Sequence, residues 1–290
     1  MRRSGFHFPS RYAKSVVLLL TAVLILLQCA CRGEKSSPQP YLILYAFDAE
    51  GEQLAQHMSV QSTEEHLGRK VRVGQLAGKD VVLVESGVGM TNAAMMTQSM
   101  IDQYHPQAVI MTGIAGAIDD TVDIGDIVVC VEWIQHDYGY EGSNGFEHSE
   151  LSAYDPSTDS IVQAISFPAD SNLLSAVKAI RAAELNMDKI GSRQPELIVG
   201  GIGVSGNSFI DSKEKRERLT AEFCAFIVDM ESAAVAHVCS ANNVPFVVFR
   251  SASDLAGGSG SETAEKELEA FFKIAANNSS EVVMSLLKEL

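Results

Sequence analysis

Positive charge is scarce in this chain. Its 290 residues include 22 Lys and Arg against 37 Asp and Glu, a formal net charge of −15. Holding a phosphate backbone takes clustered Lys and Arg, so the balance excludes nucleic acid as a partner; so much acid serves solubility. Cysteine is scarce as well. There are five, with no CxxC pair, and an odd count cannot close a complete disulfide framework. Cys130, Cys224 and Cys239 are expected to be buried free thiols. No His/Cys/Asp group has metal-ligand spacing, and neither a metal nor an organic cofactor is expected. A Walker A sequence is missing, which excludes a P-loop ATPase. Ser205 lies in no GxSxG elbow, and no ordered Ser/His/Asp set accompanies it. Internal repeats and a second-domain linker are also absent.

Long apolar runs are confined to one place. Arg2, Arg3, Arg11 and Lys14 precede an apolar stretch from Val16 to Leu27. Such a run is too short for a mature transmembrane helix and suits the core of a signal peptide. It ends in Leu26-Leu27-Gln28-Cys29-Ala30-Cys31, which resembles a bacterial lipoprotein cleavage site with Cys31 or Cys29 as the lipid anchor. The expected organisation is a signal peptide over 1–30, a polar tether over 31–40 and a single folded domain over 41–290. Removing residues 1–30 takes away four basic and no acidic residues, leaving a formal charge of −19. Membrane attachment would therefore come from lipid alone. An exported protein is expected, anchored as a lipoprotein on the periplasmic or cell surface, or otherwise periplasmic or secreted.

The mature chain alternates short β-branched runs with helical stretches. Strands are expected over Tyr41–Ala46, Lys70–Val73, Asp80–Val84, Ala108–Met111, Asp126–Val131, Leu197–Val204, Ala225–Val228 and Val244–Phe249. Helices are expected after Phe47, from Thr91 or Asn92 to Met100, and over Asn172–Glu184, Met230–Ala241 and 262–290. Residues 133–172 read as a long polar loop of functional type. The pattern predicts α/β: a single-domain, three-layer α/β/α fold with a central mixed, largely parallel twisted sheet.

Ligands in open α/β sheets bind beyond the carboxyl ends of the strands. Three acids follow buried strands closely: Glu50, Glu231 and Asp254. Singly, each could serve only as a helix N-terminal acid favoured by the dipole. Together, with Arg250 and glycine-rich strand exits at Ser86-Gly87-Val88-Gly89 and Thr112-Gly113-Ile114-Ala115-Gly116, they suggest one cleft. The first of those loops lacks the third glycine of a dinucleotide fingerprint, since Asn92 stands in its place. His136-Asp137 reads as structural, and His237 as a satisfied helix histidine.

These segments occur in an order that resembles the nucleoside phosphorylase and nucleosidase superfamily, and within it the 5′-methylthioadenosine/S-adenosylhomocysteine nucleosidases. Carrying the resemblance are Ala46-Phe47-Asp48-Ala49-Glu50, the two glycine-rich exits, Gly125-Asp126-Ile127-Val128-Val129, Ser205-Gly206-Asn207-Ser208-Phe209-Ile210, Val228-Asp229-Met230-Glu231-Ser232-Ala233 and Val244 to Asp254. They span nearly all of 41–290. The resemblance implies hydrolysis of the N-glycosidic bond of a purine nucleoside, with release of adenine. It makes Asp254 the acid at N7 and Glu50 the base that activates water. Met230 and Glu231 would bind the ribose, and Phe209 would stack on the base. Ser253 would support Asp254, and Arg250 would lie near water and sugar. Ile210, Ile114 and Asn207 complete the implied substrate-binding set, and a homodimer is implied, with part of 133–172 closing the neighbour's 5′ site.

Two of these positions depart from the family pattern. Asn207 stands where the nucleosidases carry Asp, and Ile114 where they carry a small polar residue. Hexameric phosphorylases place an Arg after the first strand, whereas this chain has Asp48-Ala49-Glu50-Gly51-Glu52, so water is the better nucleophile. A purine nucleoside phosphorylase, a nucleosidase of other specificity and a non-catalytic nucleoside-binding lipoprotein remain as alternatives.

Overall fold

The computed structural model describes residues 39–181, 184–258 and 263–290. The apolar run, Cys29 and Cys31 lie outside the described residues. Among the described residues, no helix is long and apolar enough to cross a membrane.

A mixed sheet forms the middle layer. Its elements in chain order begin with β1 (Tyr41–Tyr45), α1 (Asp48–His57), β2 (Ser59–His66), β3 (Arg69–Leu76), β4 (Lys79–Glu85), α2 (Met90–Tyr104) and β5 (Ala108–Ala117). The short strands β6 (Ile127–Val129) and β7 (Glu132–Gln135) follow, then β8 (Gly139–Gly142), β9 (Gly145–His148), β10 (Leu151–Asp155), β11 (Ser160–Ala164) and β12 (Ser166–Pro168). The last part comprises α3 (Ser171–Ala179), β13 (Leu197–Val199), β14 (Ile202–Ser205), α4 (Lys213–Phe223), β15 (Ala225–Asp229), α5 (Ser232–Ala241), β16 (Phe246–Asp254) and α6 (Ala264–Glu289).

Strand β5 is the hub. It pairs in parallel with β1 and β16, and its last residues pair antiparallel with β15. β4 continues the sheet in parallel beyond β1, and β14 does so beyond β15. α1 and α6 cover one face, while α2 packs with α5 on the other. The three-layer reading of the sequence therefore holds. The physical basis is plain in β1, β4 and β16, which are buried along most of their length and have helices on both sides.

Several boundaries differ from the sequence reading. Residues 133–172 are not an irregular loop. They form two exposed hairpins, β8–β9 and β10–β11, and the edge strand β12 on β7. These strands are short and largely solvated, and the one buried alternation among them, Leu151 and Ala153 of β10, is too brief to mark a strand. β2, exposed along nearly all its length, escaped the reading for the same reason.

The Leu197–Val204 run is two strands, broken at Gly200 and Gly201, where Gly201 takes φ +74. β13 pairs with β6, and β14 with β7 and β15. The strand expected to end at Phe249 runs on to Asp254 with every residue buried. Its continuation is held by β5 on one side and β6 on the other. Arg250 and Asp254 thus stand within a strand, not beyond it. α5 begins at Ser232 rather than Met230, which leaves Met230 and Glu231 in the turn before it. Cys130 and Cys239 are buried free thiols, but Cys224 is exposed, because it caps α4 with a left-handed φ of 51°.

Candidate active site

The carboxyl ends of β1, β5, β14, β15 and β16 gather around one cavity of about 230 Å³. Its apolar wall comes from Phe47, Val88, Ile114, Phe209, Ile210, Val228, Met230 and Leu268; its polar groups are Glu50, Asp229, Glu231, Ser253 and Asp254. Eight of the ten residues the sequence singled out for chemistry or substrate binding therefore line one space. Phe209 is 47% exposed at its rim.

Glu50 sits in the first turn of α1, directly after β1, and is 1% exposed. One carboxylate oxygen accepts from the Ala46 N–H at 2.6 Å and the other from the Ile114 N–H at 2.8 Å. Burial pushes its pKa up, while Arg250 and the N–H donors oppose the rise. Ile114 therefore has two parts to play: its side chain forms the wall, and its backbone N–H fixes Glu50. Gly113, beside it, is required by space. A Cβ there would stand 2.2 Å from both the Glu50 Oε1 and the Arg250 Nη1.

Arg250 is fully buried behind the cavity rather than in its lining. Its guanidinium meets three carboxylates: Nε to Asp229 at 2.7 Å, Nη1 to Glu50 at 3.4 Å and Nη2 to Glu231 at 3.2 Å. One cation among three buried acids leaves the cluster short of positive charge. Glu231 shows the consequence. Burial, with the charges of Asp229 and Glu50, pushes its pKa up to about 7, against the opposing pull of Arg250 and of the Gly89 N–H.

Glu231 also closes a gap at the start of α2. No side chain of the α2 segment caps that helix. Instead, Glu231 accepts the Gly89 N–H at 2.8 Å and Asn207 accepts the Met90 N–H at 3.1 Å. Residues more than a hundred positions away thus satisfy two of the helix's free donors, in place of the Thr91 or Asn92 cap expected locally. Asn207 is spent on this bridge, and its own N–H donates to Asp137 at 2.9 Å. It does not line the cavity.

Asp254 ends β16 and is 1% exposed. It accepts from the Ser253 hydroxyl and from the Ala256 N–H, both at 2.9 Å. Burial pushes its pKa up to about 6; those two hydrogen bonds pull it down, and Glu267 and Asp211 raise it further. The site therefore holds a carboxyl that keeps its proton well above the usual carboxylate range.

Other contributors went unnoticed in the sequence. Asp229 binds Arg250, and Ser280 on α6 donates its hydroxyl to the Glu50 carbonyl at 3.3 Å. Ser279 meets the Thr112 hydroxyl at 2.7 Å. A signal existed in Asn277-Asn278-Ser279-Ser280, a polar run inside a helix, where Asn278, Ser279 and Ser280 are buried. His136 lies outside the cavity beside Gly206, and burial lowers its pKa to about 4, so it stays neutral. Among the described residues, no group of three or more His, Cys, Asp or Glu could hold a metal ion.

Comparison with known proteins gives this geometry a family. The model of the phosphorylase superfamily matches residues 40–288. The 5′-methylthioadenosine/S-adenosylhomocysteine nucleosidase of Staphylococcus epidermidis is 36% identical over 222 residues, covering 76% of this chain and 87% of that protein. The crystal structure of the Neisseria meningitidis nucleosidase of the same name, in complex with methylthio-immucillin-A, superposes with a TM-score of 0.71 at 30% identity; the match covers 87% of this chain and 100% of the other. A futalosine hydrolase from Helicobacter pylori matches with a TM-score of 0.71 at 27% identity, over 87% of this chain and 98% of the other. The chain belongs to the phosphorylase superfamily and, within it, to the 5′-methylthioadenosine/S-adenosylhomocysteine nucleosidases.

Proposed function

We propose that this protein hydrolyses the N-glycosidic bond of 5′-methylthioadenosine and S-adenosylhomocysteine, releasing adenine and a 5-thioribose product. One observation carries the reading: a single apolar-walled cavity holds an acid that keeps its proton to about pH 6, Asp254, together with the anchored carboxylate of Glu50.

Cleaving the bond between C1′ and the purine builds positive charge on the sugar ring. Purine leaves poorly as an anion, so Asp254 gives its proton to N7 as the bond breaks. Substrate displaces water from the cavity, which strengthens the hold of Asp254 on that proton. Glu50, held by two backbone N–H groups, takes a proton from water as its oxygen attacks C1′. Glu231 accepts from the ribose hydroxyls, and its charge favours the cationic sugar. Met230 packs on the ribose, and Phe209 and Ile210 on the base.

Water rather than phosphate is the nucleophile. Among the described residues no Lys or Arg lines the cavity, and Arg250 behind it is already engaged by Asp229, Glu50 and Glu231. A phosphate dianion would meet those carboxylates without a free positive partner. Pure ligand capture is the weaker alternative, because binding alone needs neither a protonated acid nor a water-activating base.

Export with a lipid on Cys29 or Cys31 belongs to the same proposal. The supporting feature is the basic segment and apolar run ahead of those cysteines. An exported nucleosidase would act on nucleosides outside the cytoplasm.

The test is to incubate purified protein with methylthioadenosine, S-adenosylhomocysteine, futalosine, inosine and adenosine, with and without phosphate. Free adenine from the first two at a phosphate-independent rate is expected. A strict phosphate requirement, or intact nucleosides in every tube, would overturn the reading.

A further inference from the structure

Asp229 is 6% exposed and receives more donors than any other acid of the cluster. Its Oδ1 accepts the Ser205 hydroxyl at 2.5 Å and the Glu231 and Ser232 N–H groups, both at 3.2 Å. Its Oδ2 accepts Arg250 Nε at 2.7 Å and the Ser232 hydroxyl. The two oxygens divide the work: one holds the turn leading into α5, and the other holds the cation. Ser205, the last residue of β14, reinforces this by also accepting the Ala233 N–H at 2.9 Å.

The guanidinium is planar, with its donors in a fixed fork. Fixing Nε therefore fixes where Nη1 and Nη2 point, and these reach Glu50 and Glu231. The turn held by Oδ1 carries Glu231 itself. A helix start alone would be served as well by a neutral Asn. A third buried carboxylate against one Arg costs desolvation energy that structure does not require.

We propose that Asp229 is a positioning residue for the cleavage, fixing through Arg250 and the β15–α5 turn the places of the two carboxylates that flank the ribose. This rests on the hydrolase reading above. Asp229→Asn isolates the claim. Its side-chain oxygen can keep the Ser205 and backbone contacts, while its NH₂ would face the Arg250 Nε–H and release the fork.

The expected result is a folded protein whose kcat falls about 100-fold, the scale that a displacement of about 1 Å at a reacting centre produces, with KM within threefold of the parent. The acidic limb of the kcat/KM profile should move to higher pH, because the released fork withdraws Arg250 from Glu231. Glu231 is faced by Arg250, Asp229, Glu50 and the Gly89 N–H, and Arg250 lowers its pKa by more than Asp229 raises it, so loss of both leaves Glu231 holding its proton to higher pH. A purely structural role would lower activity without moving that limb. A kcat within threefold of the parent, or a loss with the limb in place, overturns the proposal.

If Asp229→Asn does not fold, Ser205→Ala removes one anchor of the same carboxylate and keeps the charge. It should lower kcat several-fold at unchanged KM, and an unchanged kcat overturns the proposal. An inactive parent in the same assay would instead refute the hydrolase reading.

Discussion

Glu231 offers a measurement of the site that needs no substrate. Its ordinary pKa of 4.5 is raised to about 7 in the folded protein, so folding favours its protonated form. The stability this contributes is complete below pH 4.5 and is lost as pH rises through 7. Between pH 5 and pH 8 a shift of that size amounts to roughly 2–3 kcal/mol. Glu231→Gln removes the titration while keeping an acceptor for the Gly89 N–H. The variant should therefore gain roughly 2–3 kcal/mol relative to the parent on going from pH 5 to pH 8. Other titrating groups, such as Asp254 and His136, act in both proteins and largely cancel. Urea unfolding of both proteins at several pH values, extrapolated to water, reads the difference directly. A difference that stays constant within about 0.5 kcal/mol, or that grows in the opposite direction, would refute the picture of three buried acids sharing one cation.

Asp254→Asn should retain nucleoside affinity while kcat falls by about 10²- to 10⁴-fold, the usual range for losing a general acid; near-normal single-turnover rates would sink its assignment as the proton donor. Replacing both Cys29 and Cys31 by Ala should move the protein from the membrane fraction to the soluble one, and an unchanged distribution on fractionation would refute lipid anchoring.

The fold was legible where burial is two-sided. The apolar runs of β1, β4, β5 and β16 announced parallel strands, and the glycines at 87, 89, 113 and 116 marked the exits where the chain leaves them. β2 and the hairpins between 139 and 164 were not legible. Most of these strands are solvent-exposed; only β10 turns a face inward, and its Leu151 and Ala153 are too few to stand out in the sequence. Of the site, Glu50, Glu231 and Asp254 stood out because acids directly after buried strands are conspicuous. Asp229 did not, because beside Glu231 it resembles an ordinary turn residue until Arg250 is seen against it.

The sequence by itself determined the layer architecture, the family and the acids that reach the cavity, all of which follow from local pattern and order along the chain. Only the tertiary structure decided what those acids are. Arg250 and Glu50 meet across 200 positions, Glu231 caps a helix that begins 141 residues before it, and Asn207 is drawn out of the cavity to serve Met90. Protonation follows from the same contacts. A carboxylate's pKa depends on the water it has lost and the charges it faces, and both exist only after distant strands have brought their ends together.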